Sequence, residues 1–227
     1  VNKTEHPSPR FSTSASFRTE PSRARPSWTM RETVVLAVIS VVFAFLHLAW
    51  VQVWLILQSF IGPLAMDIVM GFWYSSSIFA AYLLRKPFAG LLTALLSVTV
   101  QILAGNPSGA IMLLTGLVQG TGCEVPLALT RWKRYSLPMM IACGISTALF
   151  SFVYTWFRFS YHQLAPSLVV TMLVVRVISG ALLGGVVAWY LARAVVRTGV
   201  TTGLAVSRSS GAPSSGAPSS GAPSSDD

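Results

Sequence analysis

Three charged side chains, Asp67, Glu124 and Arg176, fall inside strongly apolar stretches of this 227-residue chain. A charge in such surroundings costs a few kcal/mol on insertion scales, so each needs a partner or a wet cavity. Asp67 shares a helical face with Met70, Gly71 and Tyr74, with Trp73 one residue off it. A carboxylate beside aromatic rings suits an organic cation, through charge pairing and cation–π attraction. The competing reading is an acid at a helix start, stabilised by free amides and the helix dipole. Glu124 follows Gly116 and Gly120 at intervals of four, beside Thr115, Gln119 and Cys123. Glycines at that spacing let a helix or a ligand approach closely. Gln119 and Glu124 then suit hydrogen bonds to a heterocycle bearing an amino group, whereas a structural salt bridge is the alternative for Glu124. Arg176, with Gly180 and Gly184 along its face, is expected to neutralise Glu124 or Asp67 as a structural intramembrane charge. Gln101, Asn106, Tyr154, Trp156, His47 and Trp50 all approach the same end of their spans and form a plausible outer ring, Asn106 in a turn-forming context with Pro107 and Gly109.

The elements that position these residues are membrane helices. Hydrophobic residues make up 53% of the chain and charged residues 10%, and the mean hydropathy is +0.63. Soluble domains carry roughly 25% charged residues. Apolar runs of the roughly 20 residues that span a bilayer alternate with short basic knots. The spans are expected at about Thr33–Trp50 with an apolar extension to Phe60, Pro63–Leu84, Phe88–Leu103, Ser108–Leu129, Leu137–Phe157 and Pro166–Val196, about six in all. Several begin at proline, which a first helical turn tolerates.

Orientation follows from Lys and Arg. With the N-terminus in the cytosol, the basic residues before Arg31, the pair Arg85-Lys86, the cluster Arg131, Lys133 and Arg134, and Arg193, Arg197 and Arg208 are all inside. Only Arg158 falls in an outer connection. This bias predicts N-in/C-in. The net charge of +9 therefore reads as topology signals rather than a nucleic-acid surface. Residues 1–30 are expected to be a disordered cytosolic tail, 31–200 the transmembrane domain, and 201–227 a disordered low-complexity tail containing the repeated Ser-Ser-Gly-Ala-Pro.

Several chemistries are missing from the sequence. There is no G-x-x-x-x-G-K-[ST] phosphate loop, no G-x-S-x-G and no H-E-x-x-H. Asp67 and Glu124 differ in apparent depth, which disfavours an acid/base pair. Cys123 and Cys143 lie in apolar segments without C-x-x-C spacing, so neither a metal site nor a cofactor is expected.

Ile61-Gly62-Pro63 leading to Gly71-Phe72-Trp73, Ala80-Ala81-Tyr82 with Arg85-Lys86-Pro87, Gly105-Asn106-Pro107, Thr115 to Gly120 with Glu124, Thr130-Arg131-Trp132 with Arg134-Tyr135, and Val174-Val175-Arg176 with Ile178-Ser179-Gly180 occur in an order and spacing that resembles the YkoE family. These are substrate-binding S components of energy-coupling-factor (ECF) ABC transporters. The resemblance spans about Arg31 to Val200. It implies an all-α, six-helix integral membrane protein of the plasma membrane. Such a protein is not an enzyme; it captures thiamine or its hydroxymethylpyrimidine precursor from outside for vitamin uptake. The implied partners are a transmembrane coupling protein and two cytosolic ATPase subunits, with no nucleic acid. On that chemistry Asp67, Trp73 and Tyr74 take the thiazolium cation and Asn106, Gln119 and Glu124 read the aminopyrimidine, with Trp50 and Tyr154 nearby. The nearest match to the small-residue docking spacing of many S components is Ser40-x-x-x-Ala44. The alternatives are a stand-alone solute transporter or channel, which the lack of an evident inverted repeat disfavours, and a structural subunit of a membrane complex.

Overall fold

A computed structural model of the chain describes residues 28–199. The expected tails at 1–30 and 201–227 therefore fall almost wholly outside the described residues. Thr29 opens the first helix as a reciprocal cap: Glu32 N–H donates to its hydroxyl at 3.3 Å, and its own N–H donates to the Glu32 carboxylate at 2.8 Å. Helix α1 then runs Met30–Ile61, far beyond the apolar core its first part needs, and takes in the predicted extension. α2 is Leu64–Leu84, α3 Ala89–Leu103, α4 Met112–Leu129 with a 3₁₀ lead-in at Gly109–Ile111, and α5 Leu137–Arg158. After a 3₁₀ turn at Tyr161–Gln163, α6 (Pro166–Ser179) passes through a π-helical stretch, Gly180–Val187, into α7 (Ala188–Arg197). These bounds match the sequence reading within a few residues. There is no strand among the described residues. The helices α1, α2 and α5, α4 with its lead-in, and the continuous Pro166–Arg197 unit are long and apolar enough to cross a bilayer; α3, 15 residues long, is a shorter apolar helix.

α2 is the axis of the bundle. It packs against α1, α3, α4, α5, α6, the π stretch and α7, and it is the most buried span. Its run of Gly71, Ser75, Ser76, Ser77, Ala80 and Ala81 explains this, because small side chains let neighbouring backbones close in. Two close approaches are tight enough to require glycine. A Cβ on Gly71 would strike the Ser179 carbonyl, and one on Gly144 would strike the Gly180 carbonyl. Gly71 N–H also donates to Ser179 Oγ at 3.0 Å, while that hydroxyl donates to the Ile68 carbonyl at 2.6 Å. These contacts lock α2, α5 and the sixth span together at the level where the π stretch begins. Ser40 and Ala44, the candidate docking pair, are each 0% exposed within the chain, so that stripe is used for internal packing and is not a free face.

The two ends of the bundle differ. At one end Lys86 Nζ meets the Glu32 carboxylate at 2.7 Å and lies over the Trp28 ring, and Arg85 lies over the Tyr82 and Tyr135 rings. At the other end the α1–α2, α3–α4 and α5–α6 connections surround a cavity.

A Gly144→Ala substitution tests the locked layer. Helix propensity alone favours alanine, but overpacking against the Gly180 carbonyl is expected to cost about 1–3 kcal/mol. Thermal unfolding in detergent, followed by tryptophan fluorescence, should show a lowered midpoint. Leu103→Ala, at a residue 83% exposed, should leave the midpoint nearly unchanged.

Candidate substrate cavity

The cavity has a volume of about 420 Å³, within the range of small-molecule sites. α1 contributes His47, Val51, Trp54 and Gln58; α2 contributes Met66, Met70, Trp73 and Ser76; α3 contributes Ala94, Ser97, Val98 and Gln101. Asn106-Pro107-Ser108, then Met112, Thr115 and Gln119 of α4, and finally Arg158, Phe159, Tyr161 and Leu164 complete the wall. Each helix presents a stripe at helical spacing: 66, 70 and 73 on α2; 94, 97, 98 and 101 on α3; 112, 115 and 119 on α4.

Polar atoms on this wall are incompletely matched. His47, Ser97 and Gln101 are 2%, 1% and 0% exposed, and His47 Nε2, Ser97 Oγ and Gln101 Nε2 have no hydrogen-bond partner in the protein. Nearly all buried polar atoms in proteins do have one. The Gln101 carbonyl oxygen is taken by Asn106 Nδ2 at 3.3 Å, which turns the amide so that its donor end stays free. Asn106 Oδ1 accepts from Ser108 N–H at 2.9 Å, so this side chain also holds the α3–α4 turn closed. Aromatic rings flank these groups: Trp54, Trp73, Phe159 and Tyr161. Tyr161 lies in the α5–α6 connection, where burial raises its phenol pKa and keeps the ring neutral.

Of the residues expected at the substrate, the cavity wall gathers Trp73, Asn106 and Gln119. Tyr154 stands behind it, its hydroxyl accepting from Thr115 Oγ1 at 3.4 Å and from Arg158 Nη1 at 3.3 Å. Trp50 is a joint between α1 and α2: its indole N–H donates to the Val69 carbonyl at 3.1 Å and its ring packs on Phe72 at 4.4 Å. Asp67 and Tyr74 are not on the wall. Positions 67, 71 and 74 lie one residue, about 100° of helical rotation, from the 66–70–73 stripe, and they face the sixth span instead. There Asp67 pairs with Arg176, both 0% exposed. Arg176 also donates to Thr155 Oγ1 and, at 3.4 Å, to the Tyr161 hydroxyl. Tyr74 is 0% exposed and packs beside Gly184.

Glu124 is likewise off the wall, at the opposite end of the bundle. Its Oε1 accepts from Gly90 N–H at 2.9 Å and its Oε2 from Trp132 Nε1 at 2.7 Å. Phe88, at the N-cap position of α3, supplies no side-chain cap. Glu124 therefore supplies acceptor and negative charge to the α3 N-terminus from a neighbouring helix. Arg131 and Trp132 adopt left-handed φ values of 52° and 54°, which turn the chain back so that the Trp132 indole reaches it.

Ser97, Trp54, Arg158, Phe159 and Tyr161 are wall residues that sequence reasoning did not select as site residues. The polar pair Ser97 and Gln101, four apart on a largely apolar helix, is the signal that marks the α3 stripe. Nothing comparable marks Trp54 or the α5–α6 connection.

Comparison with known proteins agrees with the helical fold. Residues 31–150 match a family described as the ABC-type cobalt transport system, permease component. The protein from Bacillus subtilis (strain 168) named for HMP/thiamine permease activity, YkoE, is 38% identical over 182 residues, 80% of this chain and 92% of the relative. A solved structure titled as an S-component of an ECF transporter superposes with a TM-score of 0.78 at 38% identity, over 81% of this chain and 93% of that one. Among the described residues no group of three or more His, Cys, Asp and Glu comes together to hold a metal ion.

The displaced acids generate a stability prediction. Asp67→Ala leaves Arg176 as an unpaired buried cation, a change that costs about 3–5 kcal/mol in buried pairs. Replacing both, as Asp67→Leu with Arg176→Met, should recover most of that loss. Thermal unfolding of the two single variants and the double variant reads the coupling directly; additive losses would show that the pair is not the source.

Proposed function

The chain belongs to the family of YkoE and the S components of ECF transporters, and from that premise we propose that it captures an aminopyrimidine, thiamine or its hydroxymethylpyrimidine precursor, in the cavity described above. It is a multi-pass plasma-membrane transporter component, not an enzyme, as its relatives are. The observation that carries the ligand class is the set of buried, unpartnered polar atoms on an aromatic wall: His47 Nε2, Ser97 Oγ and Gln101 Nε2. A flat heterocycle with ring nitrogens and an amino group can stack on Trp73 and Trp54 while its polar edge meets an amide donor, a hydroxyl and an imidazole. A purely apolar ligand would leave those atoms unmatched at a cost of about 1–3 kcal/mol each.

The cavity end is the outer one in this proposal. The start of α1 and the Arg85-Lys86 and Arg131–Arg134 knots lie at the opposite end, taken as cytosolic, in keeping with the excess of basic residues there. N-in/C-in topology then lets the α1–α2, α3–α4 and α5–α6 connections receive ligand from outside. Membership of the family implies a transporter complex. The partners proposed here are a transmembrane coupling protein and two cytosolic ATPases, which supply the ATP-driven step that a chain without a phosphate loop does not. The residues proposed to touch the ligand are Trp73, Gln119 and Asn106 from the sequence reading, joined by His47, Ser97 and Gln101. Asp67 and Glu124 support the bundle.

Intrinsic tryptophan fluorescence of the purified chain, corrected for inner-filter absorption, should be quenched saturably by thiamine or hydroxymethylpyrimidine and unaffected by riboflavin at matched concentration. Gln101→Leu should weaken binding about ten-fold, the value of one hydrogen bond to a buried partner. Glu124→Gln, remote from the cavity, should change affinity less than about two-fold. A response to riboflavin alone, or a Glu124→Gln loss exceeding that of Gln101→Leu, would remove this reading.

A further inference from the structure

Arg158 is the formally charged residue on the cavity wall, and no carboxylate lies within salt-bridge distance of it among the described residues. Its guanidinium sits over the Phe159 ring at 5.1 Å and the Tyr154 ring at 5.9 Å. Its Nη1 donates to two neutral hydroxyls, Tyr154 at 3.3 Å and Thr115 at 3.4 Å. Both distances lie beyond the usual 2.7–3.2 Å range for such bonds. The acids that would ordinarily answer an arginine are committed elsewhere, Asp67 to Arg176 and Glu124 to Gly90 and Trp132. Arg176 makes the contrast: 0% exposed, it is matched by a carboxylate and two hydroxyls and has no part in the wall. Arg158 is also the basic residue that departs from the positive-inside distribution. The aromatic rings hold its plane, and its Nε and Nη2 have no protein hydrogen-bond partner among the described residues, leaving a fork suited to bidentate recognition of an oxyanion.

We propose that Arg158 forms an anion subsite at the mouth of the cavity, so that the protein takes the phosphate ester of its heteroaromatic ligand in preference to the free alcohol. This rests on the capture function proposed above. The ring system occupies the aromatic and amide-lined interior, and the phosphate oxygens meet the guanidinium. A cationic ligand without a phosphate meets an uncompensated positive charge at the same place, so the phosphate changes repulsion into attraction.

The test is a fluorescence titration of the full chain in dodecyl maltoside with thiamine and with thiamine monophosphate. The ester is expected to bind about ten-fold tighter, consistent with a charge-assisted hydrogen-bonded pair, and its advantage should shrink as salt is raised. Arg158→Gln should bring the two affinities together, while Arg158→Lys, which keeps the charge and loses the fork, should retain part of the difference. Equal binding of thiamine and its ester by the wild-type chain, or a preference that survives in Arg158→Gln, overturns the subsite and leaves the capture function standing. Binding of neither ligand, with no binding of hydroxymethylpyrimidine either, overturns the capture function itself. A membrane phosphate is the other source of the same chemistry. A preference kept in nanodiscs containing phosphatidylglycerol supports the ligand assignment. A preference seen in detergent and lost in those nanodiscs overturns it in favour of a lipid headgroup.

Discussion

Arg176 and Asp67 meet at 0% exposure in the middle of the bundle, where neither finds water. An ion pair in that position is stable only when its remaining donors and acceptors are also engaged. Thr155 from α5 and Tyr161 from the α5–α6 connection supply part of that engagement. One interaction thereby fixes α2, α5, α6 and one wall residue of the cavity relative to one another. The backbone contacts of Gly71 with Ser179 and of Gly144 with Gly180 lie on the same side of the bundle. The sixth span is held against the axis by charge, by hydroxyl bonds and by direct backbone packing. The cavity occupies the adjacent side of α2, facing α1, α3 and α4, where nothing equivalent fills the space.

The bilayer makes this division chemically sharp. Lipid offers neither hydrogen bonds nor counter-charge, so most polar groups in the spans are satisfied within the protein, while a few line the ligand space. Most hydroxyls follow the first course. Ser40, Thr93, Thr99 and Thr147 each donate to the carbonyl four residues earlier in their own helices. Glu124 follows it across elements, capping α3 and holding Trp132. His47, Ser97 and Gln101 follow the second. The polar inventory of the spans therefore divides largely between residues that hold the bundle and those that line the cavity, with Asp67 Oδ2, Tyr74 Oη and Ser151 Oγ buried without a hydrogen-bond partner away from the wall.

The helices were legible in the sequence because the signal for them is local. Apolar runs, basic knots and prolines at 63, 107, 138 and 166 mark ends within a few residues of those observed. The cavity was legible only in part, because its geometry depends on rotation and on distant partners. Asp67 and Trp73 lie on one helix near the same end, yet one faces Arg176 and the other the cavity. No span pattern states which of two adjacent stripes faces a neighbour and which faces space. Glu124 and Gly90 are 34 positions apart in sequence, and Asp67 and Arg176 are 109 apart. An intramembrane acid signals a functional or a structural role with equal force until its partner is known. Trp73, Asn106 and Gln119 were reachable from residue type and local context: an indole near Asp67, an amide in the turn before Pro107, and an amide beside the Gly116 and Gly120 spacing. Ser40-x-x-x-Ala44 failed as an exposed stripe for the same rotational reason: α1 turns that face toward the bundle.

A cavity braced in this way is formed before any ligand arrives. α2 is braced on its other face by ion-paired and backbone-packed helices, and Asn106 fixes the Gln101 amide at the wall, so little ordering is required on binding. The same preorganisation means that the chain has no internal source of the free energy needed to empty the site. A ligand shifts an equilibrium only by its differential affinity for two states, and a ligand that fits this state well favours keeping it. Release toward the cytosol therefore has to be driven by an interaction outside the cavity, one that favours a different arrangement of the outer connections or of the whole bundle. The exposed apolar faces of α1, α4 and α5 provide surface on which a membrane-embedded partner can act without touching the buried Asp67–Arg176 layer. Separating capture from energy supply accords with a site built on braced helices and with a sequence that carries no phosphate loop.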